Sequence, residues 1–148
     1  MKRYYILHVD DMSIKRRLEI KLKMEGMDIT LLQKYNYILT EFCHLSPLFY
    51  GNEILINSAV IHKIINALEE FMKTGKPSTE KIYYKNLQRV DISLFERIIN
   101  QKIEDEYDSL ESPTREYLEE DYEAVEYCIE WLKIGLDYSA NLYVSNYS

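Results

Sequence analysis

The chain has 148 residues, 47% apolar and 29% charged, with 14 tyrosines, four phenylalanines and one tryptophan. That much core material excludes a disordered chain, and the length points to one domain over residues 1–148. Four glycines and three prolines exclude a low-complexity chain or a turn-rich β-sandwich, and the net charge is −7.

The charge is uneven. Residues 1–50 hold 8 basic and 6 acidic side chains, residues 51–100 hold 7 and 6, and residues 101–148 hold 3 and 13. An acidic last third repels phosphates, so neither nucleic acid nor a membrane surface is expected as a direct partner. No apolar run reaches the roughly 20 residues of a membrane span. The opening MKRYYILHVDD breaks at two aspartates without a small-residue cleavage site, which argues against a secretory leader. Cys43 and Cys128 lie far apart within helical patterns. Reduced, buried thiols are expected, and with them a cytoplasmic setting.

In chain order, Tyr4–Val9 has the composition of a short strand, ended by Asp10 and Asp11. Ser13 is the expected cap of a helix with Ile14, Leu18 and Leu22 inside and Lys15, Arg16, Arg17, Lys21 and Lys23 outside, running to Gly26. Thr30 and Gln33 have capping-box spacing before Leu31, Leu32, Tyr35, Ile38, Leu39 and Phe42, a second helix that stops before Pro47. Glu53–Ile56 reads as a strand. Asn57 or Ser58 then caps a helix carrying Val60, Ile61, Ile64, Ile65, Leu68, Phe71 and Met72, closed by Gly75 and Pro77. Residues 81–85 are β-like, and Asp91 can cap a helix with Ile92, Phe95, Ile99 and Ile103. After the connector 108–112, Ser112 and Pro113 open the longest helix, expected over about 113–137. Residues 139–148 form a last strand or an irregular end. The sum is a mainly α fold of about five helices with two or three short strands. The alternative is α+β, with a sheet from the N-terminal strand, 53–56 and 81–85.

The long acidic helix is the most informative segment. Leu118, Tyr122, Val125, Ile129, Leu132 and Leu136 fall on one stripe. Glu119, Glu123, Glu126 and Glu130 form a ridge beside it, extended by Glu116 and Asp137, with Lys133 as its one cation. Tyr127, Trp131, Ile134 and Tyr138 supply a second apolar side. Like charges at this spacing oppose helix stability by a few tenths of a kcal/mol per pair. The plain reading is a solvated face, or one neutralised by Lys15, Arg16, Lys21 and Lys23. The functional reading is a docking surface for a basic protein, formed by Glu116, Tyr117, Glu119, Glu120, Glu123, Glu126, Tyr127 and Glu130. A divalent cation on the carboxylates ranks third. The tyrosines crowd into the same half, which suits either a core edge or a recognition surface.

Catalytic candidates are sparse. His8, Asp10 and Asp11 sit where a strand end can carry an acid or a metal ligand, but turn or capping duty explains them as well. Cys43 and His44 are sequence neighbours and badly placed as a nucleophile–base pair, and His62 edges an apolar helical face. No phosphate-loop, dinucleotide, zincin, serine-elbow or CxxC motif occurs. Ile6–Asp11 followed by a helix superficially resembles the opening of a response-regulator receiver domain. A receiver needs a phosphoacceptor aspartate some forty residues further on, and this chain has no Asp between Asp28 and Asp91, so the family is excluded.

The leading expectation is therefore a non-catalytic acidic binding protein that occludes a basic partner. Toxin-immunity proteins, antitoxins and nucleic-acid-mimicking inhibitors share that composition. The alternatives are a helical regulatory or scaffold subunit, dimeric through its Trp131 face, and a small metal-dependent enzyme using His8, Asp10 and Asp11. No cofactor is expected.

Overall fold

The computed structural model describes residues 2–41, 54–77 and 116–147. The expected 81–85 strand, the Asp91 helix, the 108–112 connector, and Cys43 with His44 lie outside these. The described residues form a mainly helical fold with a small antiparallel sheet. In order they are β1 (Lys2–His8), α1 (Met12–Met24), a 3-10 turn (Gln33–Tyr35), α2 (Asn36–Glu41), β2 (Ile54–Ile56), α3 (Ser58–Thr74), α4 (Glu119–Asp137) and β3 (Asn141–Tyr147).

The sheet order is β1-β3-β2. Residues 139–148 thus hold the middle strand, and Lys2 pairs with Tyr147 through to His8 with Asn141. β2 pairs with the other edge of β3, Ile56 opposite Leu142. Strand alternation sends Tyr5, Leu7, Ile56, Leu142 and Val144 to the core. The free edge of β1 is covered by the chain after α1: the Leu7 N–H donates to the Ile29 carbonyl at 3.0 Å, and the Leu31 N–H to the Tyr5 carbonyl at 2.9 Å. Thr30 bridges Ile6 there, so it does not cap a helix. A backbone already paired with a strand edge is not free to turn into a helical start, and the helical pattern begins only at the 3-10 turn.

α1 starts two residues earlier than expected. Asp11, not Ser13, is its cap: one carboxylate oxygen accepts the Ser13 and Ile14 N–H groups at 2.8 and 3.1 Å. On α3 the Asn57 side chain accepts the Val60 N–H at 3.1 Å. Gly75 closes the helix in the left-handed region, φ +72°, where glycine carries no Cβ penalty. Val60, Ile61, Ile64, Ile65, Leu68 and Phe71 are all buried, as their spacing requires, whereas Met72, expected with them, is exposed.

α4 begins at Glu119, not near 113, since residues 116–118 are not helical. Its core stripe is also rotated from the expected one. The buried set is Asp121, Ala124, Val125, Cys128, Trp131, Leu132, Ile134 and Gly135, whereas Leu118 is 61% exposed and Tyr122, Ile129 and Leu136 are half-buried. Small side chains explain the rotation, roughly a quarter turn at about 100° per residue. Gly135 lets the helix axis approach Leu7 of β1, and Cys128 sits against the Tyr35 carbonyl of the 3-10 turn, so the contact there centres on small residues and not on the largest apolar groups. Trp131 is fully buried, and its indole N–H donates to the Asp28 carbonyl at 2.8 Å. The indole is thus a core side chain, while Tyr127 and Tyr138 of the same side are half-buried. Among the described residues no helix is long and apolar enough to cross a membrane.

Candidate functional site

α4 opens with Glu119, Glu120 and Asp121 at its positive dipole end. The three acids have different fates. Asp121 falls on the core stripe, i−3 and i−4 from Ala124 and Val125, and is buried. One of its oxygens accepts the Leu118 N–H at 2.9 Å and the other accepts the Tyr37 hydroxyl at 2.8 Å. It therefore caps α4 and ties it to α2. Glu119 and Glu120 point to solvent.

Rotation of the core stripe places the ridge almost opposite it, on the outermost side of the helix. Glu119, Glu123, Glu126 and Glu130 are all exposed, as is Glu116. Lys133 turns away from them to meet Glu69 of α3 at 3.0 Å. On α1, Lys21 meets Glu25 at 3.0 Å. That bond is the main cause holding the Lys21 ammonium above its ordinary value, and the Glu130 charge is the smallest contributor. Among the described residues no salt bridge joins the ridge to the basic helix, although α1 and α4 pack together. The tyrosines are anchored beside the ridge. Tyr117 meets the Phe71 ring edge-on at 5.1 Å, and Tyr127 stacks on Tyr35 at 4.2 Å. Burial, then the neighbouring Tyr35, pushes the Tyr127 phenol upward.

The N-terminal acids behave as local structure. The His8 Nε2 and an Asp10 oxygen are 2.9 Å apart on the surface. Asp11 is occupied at the start of α1, where the Ser13 hydroxyl above all, then the Ile14 and Ser13 N–H groups, hold its carboxyl below the usual range. His62 is exposed on α3. Burial pushes the Cys128 thiol up to about 12, so it is no thiolate nucleophile at neutral pH. Among the described residues, no three His, Cys, Asp or Glu side chains converge on a position that could hold a metal ion.

No family model, curated protein or solved structure matches this chain. The site must be read from its own residues.

The candidate surface is thus a carboxylate ridge flanked by two fixed aromatic rings. Sequence reasoning found the ridge but missed Asp121. The signal was available: Asp121, Ala124, Val125 and Cys128 repeat at helical spacing, and an aspartate at the third helical position reaches its own N-cap.

Proposed function

We propose that this is a non-catalytic acidic binding protein of the cytoplasm whose α4 ridge docks on a basic protein and occludes it. Toxin-immunity proteins, antitoxins and nucleic-acid-mimicking inhibitors act in this manner. One observation carries the reading: Glu119, Glu123, Glu126 and Glu130 stand in solvent without a salt-bridge partner among the described residues, while Lys133 pairs elsewhere. Repulsion along the ridge costs a few tenths of a kcal/mol per pair, and cations from a partner would reverse that cost. Glu116 and Glu120 broaden the field. Tyr117 and Tyr127, held by Phe71 and Tyr35, lose little freedom on contact and supply fixed area at its margins. Association would be steered by charge and would slow as salt rises.

The test uses the parent chain and the Glu119→Lys, Glu123→Lys, Glu126→Lys variant as baits in extract of the native host, read by mass spectrometry. The expected result is a basic protein retained by the parent at low salt, eluted by added salt and absent from the variant, with equal circular dichroism for both baits. Equal retention by the variant counts against the reading.

A further inference from the structure

We propose that the outer face of α1 lays this protein on the surface of an anionic lipid bilayer, with the α4 ridge held away from the lipid. α1 buries Leu18 and Leu22 yet leaves Met12, Ile20 and Met24 exposed at 72%, 54% and 78%. At about 100° per residue those three, with Arg16, Arg17 and Lys23, fall within an arc of about 140° on the side opposite the buried pair. The three cations are exposed and make no salt bridge among the described residues. Glu19 is the one acid at the margin of the arc. A face that mixes apolar groups with unpaired cations is complementary to a layer of anionic headgroups over acyl chains.

The order of the side chains favours a bilayer over a protein partner. Arg16 stands between Met12 and Ile20 on the every-fourth-residue row that ends at Met24. In the dry centre of a protein interface that guanidinium would lose its water and need a carboxylate placed on it. At a bilayer surface its apolar stem lies beside the chains while its charge reaches the phosphate layer. Methionine, unbranched and polarizable, suits a layer without fixed shape. The charge of the last third, which argues against a membrane partner, lies elsewhere. Lys21 occupies the flank of α1 nearest α4, where it feels Tyr138 and Glu130. Arg16, Lys23 and Met12 lie about 140–180° round α1 from Lys21, and so face away from α4. The width of α1, about 10–12 Å, separates them from that helix, more than the Debye length of ~8 Å at physiological salt. The attachment is reversible, because one short cationic strip without a lipid anchor gives only weak binding.

The test centrifuges the full chain with vesicles of phosphatidylcholine alone, or of phosphatidylcholine with about 30% phosphatidylserine. At about 0.1 M salt the protein is expected to pellet with the mixed vesicles only, and about 0.5 M salt should release it. Arg16→Gln with Lys23→Gln should weaken that binding roughly thirtyfold. Ile20→Ser with Met24→Ser changes no charge and should weaken it several-fold. All four positions are exposed, so circular dichroism should match the parent. Glu119→Gln with Glu126→Gln should not weaken the binding, since the ridge does not touch lipid. A parent that stays in the supernatant with both vesicles overturns the proposal. So does equal pelleting by phosphatidylcholine alone, or α1 variants that pellet as the parent does. A parent that ignores vesicles but retains an acidic protein through Arg16 and Lys23 also overturns it, since the face then serves a protein. Vesicle binding is read by the α1 variants and capture of a basic protein by the ridge variants, so a failure of one is distinguishable from a failure of the other.

Discussion

Gly135 shows how one missing side chain sets the position of a helix. A Cβ built there would lie 2.6 Å from one methyl of Leu7 and 3.1 Å from the other. Leu7 is 1% exposed, so in a close-packed interior any shift it makes must displace other core side chains. Gly135→Ala should lower stability by about 1–3 kcal/mol, the range for overpacking, measured as a shift in the urea midpoint. The cost should shrink in a Leu7→Ala background, because the two positions share one contact. Equal costs in both backgrounds would mean that α4 is placed by something other than this approach. Taken by itself, a glycine inside a helix is unfavourable. Its value lies in a strand residue more than a hundred positions away, which no local pattern reports.

At the level of the elements, helix starts were legible wherever the capping side chain is local. Asn57 and Gly75 bracket α3 as read, and the periodicity between them names its buried face. Asp11 displaced Ser13 because both can cap and only the path of the chain leaving β1 chooses between them. The choice has a pH signature. A carboxyl whose folded value is depressed stabilises the fold above its unfolded value, roughly 4, and that stability is lost as pH falls through the folded value. Asp11→Asn, which can still cap, should therefore show a flatter loss of melting temperature between about pH 5 and about pH 2 than the parent. Superimposable acid limbs would remove Asp11 from the account. The failed capping box at Thr30 teaches the converse. A correct local motif loses to a strand edge whose N–H and C=O groups need partners.

For the whole molecule, the decisive element is the last strand. β3 is hydrogen-bonded on both sides, to β1 and β2, and buries Leu142 and Val144 completely. Removing residues 141–148 leaves β1 and β2 without a common partner and exposes Tyr5, Leu7 and Ile56. The truncated chain should lose its cooperative urea transition by circular dichroism. A retained transition near the parent midpoint would show that the helices hold together without the sheet. The same long-range arrangement decides the electrostatics. α1 and α4 are brought side by side, yet their charges face outward, so the uneven distribution along the chain becomes an uneven distribution on the surface.

The sequence by itself determined the mainly helical class, the span of α3 and most of its buried face, and the existence of a glutamate ridge. These depend on residues within one or two turns of each other, where periodicity and capping act. Only the tertiary structure decided which strand is central, which stripe of α4 is inside and whether the ridge is neutralised. Each of those depends on the approach of surfaces far apart in the chain. There, small residues such as Ala124, Cys128 and Gly135 weigh as much as large ones, because close packing depends on what can be brought near as well as on what is apolar.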